Sequence, residues 1–180
     1  KPELDPRFLD HYARGLILLS GCSKGEVPSL VQEGRLREAE EVVERYMHWF
    51  GRENVYLEIQ QNLVYGDTVR IRRLARIARS LGIGVVATNN VQYHVRERHQ
   101  LQDCLVSIKH RRSLEESHRE RWANSEFHLK SSEEMTELFR DYPDAIANTV
   151  HIAQRCAAFD LTRNLGYRLP ESPVPDGYTQ

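Results

Sequence analysis

Residues 55–60 read Val-Tyr-Leu-Glu-Ile-Gln. Val55, Leu57 and Ile59 alternate with Tyr56, Glu58 and Gln60, a period of two that puts three apolar side chains on one face of a strand and three polar or aromatic ones on the other. The period changes on either side. Upstream, Leu36, Ala39, Val42, Val43, Tyr46, Met47 and Phe50 recur at helical spacing, and Gly51 closes the run. Downstream, Asp67 is placed to cap a helix that carries Leu74, Ile77, Ala78 and Leu81 on one face, with Gly82 at its end. Two more strands flank these helices. Gly84–Asn89 is one. The other is Gly15–Gly21, whose nearly all-apolar Leu16-Ile17-Leu18-Leu19 suits a strand covered on both faces. Between Gly21 and Leu36, Pro28 fits a first helical turn backed by Leu30 and Val31, and Gly34 breaks it. Strand, helix, strand, helix, strand with short connections predicts parallel βα units and an α/β fold.

The second half reads differently. Val95–Ile108 is expected to be a helix with Leu101, Cys104, Leu105 and Ile108 facing inward. Lys109–Arg121 is charged and lacks an apolar stripe, which fits a loop or a frayed helix. Ser131-Ser132-Glu133-Glu134-Met135 is a capping box opening a helix that runs to Phe139. Pro143 suits the first turn of another, carrying Ile146, Val150 and Ile152-Ala153. From Leu169 the Pro-rich LPESPVPDGY has the composition of a linker.

The totals narrow the classes. The chain has 180 residues, a net charge of −1 and a pI near 6.8, so nothing global advertises nucleic acid or an anionic membrane. Three cysteines without a CxxC argue against a disulfide framework and for a reducing compartment. The longest apolar run, Leu16–Leu19, is far too short to span a bilayer, and no signal peptide opens the chain. We expect a cytoplasmic protein. The first residue is Lys1 and the last follows a Pro-rich stretch, which reads as a segment of something longer.

Parallel strands present their chemistry at their C-terminal ends. Three such ends stand out: Gly21-Cys22-Ser23-Lys24-Gly25-Glu26, Glu58-Ile59-Gln60-Gln61-Asn62, and Asn89-Asn90-Val91-Gln92. Cys22 is either a thiolate metal ligand or a buried structural thiol. Glu58 faces a barrel interior or solvent. Asn90 and Gln92 share a face, as paired ligands do, but amides are poor ligands for zinc or manganese, and polar capping of a strand end fits them better. His94, His99, His110, His118 and His128 lie downstream, and the five-residue gap between the first two keeps them off a common helical face. Arg70, Arg72, Arg73, Arg76 and Arg79 decorate one helix with no acid between them. They form either a phosphate-facing surface or the solvated face of an outer helix, and the lack of interleaved aromatics favours the second. No P-loop, GxGxxG, GxSxG or HExxH occurs.

The stretches GLILLSGCSKGEVPSL, YLEIQQN, VVATNNVQYH, FHLKSSEEMTELFRDYPDAIANT and LPESPVPDGYT, in this order, resemble the bacterial DNA polymerase III alpha subunit. The likeness is to the later part of its PHP (polymerase and histidinol phosphatase) domain and the segment leading to the palm. RERHQLQD, NSEFHLKS and FDLTRNLGYRLP are more similar to the error-prone, translesion and repair branch. The resemblance implies a partial PHP-type distorted βα barrel over residues 1–94, a helical segment over 95–168 that links PHP to the palm, and a Pro-rich linker over 169–180. It implies that the metal ligands of such domains fall at Cys22 and on an Asp-x-His pair. Here Cys22 is the remnant of that set, and Asn90 and Gln92 stand at the substituted pair, with Glu58, Gln60, Asn62 and Asn89 nearby. The family often has histidine at the position of Asn62. The polymerase aspartates of the family lie beyond Gln180. The expectation is therefore a structural PHP region of a DNA-directed DNA polymerase (a nucleotidyltransferase) that holds no cofactor, with no catalytic residue of its own. DNA and other replication or repair subunits would be met through the parent protein, and no membrane. The truncated barrel is expected to self-associate.

Two other readings compete. A metal-dependent phosphoesterase or 3′-5′ exonuclease of the PHP family would bind zinc or manganese, and Asn90 and Gln92 count against it. A pure interaction module would dock a proofreading or clamp partner through Lys109–Arg121, and Arg111 and Arg112 would carry that contact.

Overall fold

The computed structural model describes residues 8–160 and 162–163. The linker expected from residue 169 onward lies outside them. Three strands form one parallel sheet in the order β1 (Leu18–Leu19), β2 (Val55–Gln60), β3 (Gly84–Thr88). Tyr56 pairs with Leu19 on one side and Gly84 on the other, and the β2–β3 ladder runs on to Gln60 opposite Thr88. Helices α2 (Glu26–Gln32) and α3 (Leu36–Phe50) connect the first two strands, and α4 (Asp67–Leu81) the second pair. A short α1 (Leu9–Tyr12) precedes them. The mixed α/β architecture with parallel strands is the one the alternating periods predict.

The apolar face of β2 makes the core. Leu57 and Ile59 are fully buried among Val27, Val31, Ala39 and Val43 of α2 and α3 and Ile71, Leu74, Ile77 and Ala78 of α4. Burying each such side chain stabilises by about 1.5–3 kcal/mol. Gly82 ends α4 as expected. Its φ of 65° is left-handed, and the Ile83 amide behind it bonds the Ala78 carbonyl at 3.0 Å, the closure an L side chain would strain.

Two details of this half differ from expectation. The run from Gly15 to Gly21 contributes only Leu18 and Leu19 to the ladder, and Leu16 and Leu19 are exposed. β1 lies at the sheet edge, so only one neighbour covers it. Asp67 does not cap α4. Gly66 occupies the cap position, and Asp67, at the first helical residue, turns back to accept from the amides of Asn62 at 2.8 Å and Val64 at 3.2 Å. Its other oxygen takes a 2.6 Å bond from Arg70, and both side chains are over nine-tenths buried.

After β3, a turn at Arg96–Arg98 leads into α5 (His99–His110). Leu101, Cys104, Leu105 and Ile108 are all exposed, Ile108 to 72%, against the expected inward face. The residue of α5 that is buried is Ser107. Its hydroxyl bonds the fully buried Ser117 hydroxyl at 2.7 Å, so polar contacts from the following loop hold the helix. Of the expected loop Lys109–Arg121, Lys109 and His110 still belong to α5, and a left-handed Arg111 (φ 53°) then leads into turns. Ser131 and Glu134 make the predicted capping box at α6 (Ser132–Leu138). α7 (Pro143–Cys156) begins at Pro143. Phe139 and Ala145 are buried in the core with Ile146 beside them, and the Asn148 amide donates to the Val85 carbonyl at 2.8 Å. Val150 and Ala153 are exposed rather than packed. The described residues divide into two compact units between Thr149 and Val150.

Candidate functional site at the strand ends

The polar face of the sheet is closed by its own residues. Ser20, just past β1, accepts the Glu58 amide on its hydroxyl at 2.8 Å. The Gln60 amide donates to the Glu58 carboxylate at 2.6 Å and to the Thr88 hydroxyl at 3.1 Å, and Thr88 donates to the same carboxylate oxygen. The half-buried Glu58 carboxylate thus ties β2 to β3, and the backbone N–H of the same residue ties in the end of β1. Alternation in 55–60 places Glu58 and Gln60 on this face. Thr88 and Ser20 belong to the same cluster and were missed, because register, not pattern, brings them opposite.

Beyond the ladder the ends diverge in character. Cys22 is half-buried in a turn where the Gly25 amide bonds its carbonyl at 2.7 Å. A Cβ on Gly25 would lie 2.6 Å from the Ser20 carbonyl oxygen, so that turn accepts only glycine. Asn62 is buried. Its amide goes to Asp67 and its carbonyl accepts from Asn124 at 2.8 Å, while its side-chain oxygen is buried without a partner. Asn89 donates to the His128 carbonyl at 2.6 Å, and its side-chain oxygen is likewise buried and unmatched. The Gln92 amide donates to the Asn90 side-chain oxygen at 2.9 Å. The two residues predicted to share a face therefore meet, and they bond each other.

A segment that pattern reading did not single out closes this end. The Gln92 amide donates to the Phe127 carbonyl at 2.8 Å, Leu129 donates to the Tyr93 carbonyl at 3.0 Å, and Tyr93 and His128 form a parallel bridge. Trp122 stacks on Phe127 with ring centroids 4.4 Å apart. His128 is buried, with its Nε2 3.6 Å from Glu134. The Ser131 amide, first, and then His128 hold the Glu134 carboxyl below its usual range. Lys130 is pulled below the ordinary lysine range by burial, which outweighs the opposing pull of Glu126. No sequence period marks this segment, because its contacts are backbone bonds to residues far away in the chain. Among the described residues no three His, Cys, Asp or Glu side chains gather in a metal-holding group. No described helix is long and apolar enough to cross a membrane.

The parallel βα units are consistent with part of a PHP-type βα barrel, and the PHP domain family matches residues 1–62. Relatives carry the assignment further. The chain is 40% identical over 171 residues to an error-prone DNA polymerase of Symbiobacterium thermophilum, covering 94% of this chain and 15% of the relative. It is 40% identical over 156 residues to the DNA polymerase III subunit alpha of Treponema pallidum, covering 87% of this chain and 13% of the relative. To the corresponding subunit of Borreliella burgdorferi it is 34% identical over 175 residues, 97% of this chain and 15% of the relative. The chain belongs to this family of DNA polymerase III alpha subunits and error-prone DNA polymerases, and spans about one seventh of the length of the relatives it matches.

Proposed function

We propose that this chain is a structural PHP region of a bacterial DNA-directed DNA polymerase, with a strand-end site that no longer holds metal. The observation that carries this reading is the bond between Gln92 and Asn90 at 2.9 Å, at the positions where the family resemblance places an Asp-x-His ligand pair. Aspartate would bring a negative charge and histidine a ring nitrogen. Two amides bring neither, and here the one donates to the other. Loss of a mere outer partner typically costs about 10- to 100-fold in metal affinity, and two ligand losses cost more. Cys22 alone does not fit a zinc or manganese centre, which needs three or four such donors. The region then acts as a scaffold: residues 1–94 supply barrel units, 95–168 a helical link, and 169–180 the exit toward a polymerase domain.

DNA and the other subunits of a replication or repair assembly are met by the whole polymerase, in the cytoplasm. The likeness of RERHQLQD and NSEFHLKS supports the error-prone branch. The test is metal content of the full-length protein purified without chelator. We expect less than stoichiometric zinc, manganese and iron. Stoichiometric metal that is lost in Cys22→Ser overturns the reading. A second arm restores the pair: Asn90→Asp with Gln92→His raises metal content if these are the vacated ligand positions.

A further inference from the structure

The five arginines of α4 divide into two groups. Arg70 is buried against Asp67, and Arg73 reaches back to donate to the Val31 carbonyl at 2.9 Å. Arg72, Arg76 and Arg79 are exposed, at i, i+4 and i+7 on one stripe, and among the described residues none has a carboxylate partner. The one acid on α4, Asp67, is consumed by Arg70. Helix α3 is of the same length, yet Arg37 pairs with Glu41 along it and Arg45 reaches Glu26. The α4 row is a set of like charges left open.

Apolar surface lies at the N-terminal end of the same helix. Val69 is half exposed, and Tyr65, in the turn that precedes α4, is fully exposed. A recess of about 310 Å³ opens beside them, lined by Val31, Gln32, Tyr65, Val69 and the two engaged arginines, Arg70 and Arg73. We propose that the outer face of α4 binds a single-stranded nucleic acid, with Arg72, Arg76 and Arg79 on successive phosphates and a base stacked on Tyr65 over the recess. The spacing fits. Seven residues of helix span about 10 Å, and phosphates of one strand recur every ~3.4 Å of rise in a duplex and farther apart when the strand is extended, so three guanidiniums reach two or three phosphates. Guanidinium matches phosphate oxygens in a fork, and an exposed ring stacks any base. Gln32 offers a base edge both a donor and an acceptor. An exposed aromatic at the N-terminal end of the same helix is what distinguishes this face from a merely solvated one. The proposal stands whether or not the strand-end site holds metal.

The probe is a fluorescent oligothymidylate, titrated with the 180-residue chain over a salt series. Three phosphate contacts predict a slope of log affinity against log salt near −2, at about −0.7 per contact. R72A/R76A/R79A should flatten that slope and weaken binding at least tenfold at low salt, whereas R72K/R76K/R79K should keep it. Tyr65→Ala should weaken binding about tenfold and leave the slope unchanged, as loss of a stacked base does. All four side chains are exposed, and circular dichroism confirms that each variant is folded. An unchanged slope in the triple alanine variant overturns the proposal, as does failure of the chain to bind. Binding of polyglutamate, but not of oligothymidylate, that depends on the three arginines also overturns it, in favour of an acidic protein segment.

Discussion

Helices α4 and α5 carry similar amphipathic patterns and meet opposite fates. α4 buries Ile71, Leu74, Ile77 and Ala78 against the sheet. α5 turns Leu101, Leu105 and Ile108 outward and is fastened by polar contacts, the Ser107–Ser117 pair and the Arg121 bond to Asp103 at 3.0 Å. A helical stripe states that some apolar surface exists on one side. It does not state what covers it. α4 follows a strand and returns to the adjacent strand, so connectivity forces its stripe onto the sheet. α5 leaves the sheet after β3 and is under no such constraint.

Substitutions along the two helices test this contrast. The largest effect is expected at the base of α4. Asp67→Ala leaves Arg70 buried without its partner and releases the Asn62 and Val64 amides, and should cost about 3–5 kcal/mol in urea unfolding. A cost below about 1 kcal/mol would mean that water reaches the pair. Leu74→Ala opens a hole in the core and should cost about 3 kcal/mol. Ser107→Ala on α5 removes two hydroxyl bonds, to Ser117 and to the Asp103 carbonyl within the helix, and should cost about 1 kcal/mol, Ser117 keeping its contact at the Leu114 carbonyl. Leu105→Ser should change stability by less than about 0.5 kcal/mol, the range for exposed sites. A loss above about 1 kcal/mol there would show that the outward face of α5 is covered in solution.

The same contrast explains what the sequence could reveal. Period-two and helical patterns located β2, β3, α3 and α4, and capping chemistry located α6, because each signal is local. The edge position of β1 is not local. Leu16 and Leu19 look like buried-strand residues, and only the sheet order leaves them exposed. Asp67 has cap chemistry, but its position one residue inside the helix lets it serve the preceding loop instead. At the strand ends, residue types singled out Glu58, Gln60, Asn62, Asn89, Asn90 and Gln92. They could not show that Glu58 is shared among three strands, or that Asn90 and Gln92 bond each other. Asn124 and His128 reach the same end from a part of the chain with no period at all.

The bridge from Tyr93 to His128 has a consequence for engineering. Chain leaves the strand end at Tyr93, passes through α5 and returns parallel at His128, so the bridge clamps both ends of one long excursion. Between the clamps, the turns from Arg111 to Glu120 carry mostly exposed side chains, apart from Ser117 and the half-buried Glu120. Loop closure grows only slowly with length, at about 0.6 kcal/mol per doubling. A peptide tag or a small domain spliced between Arg111 and Arg112 would therefore be carried on the protein with the sheet undisturbed.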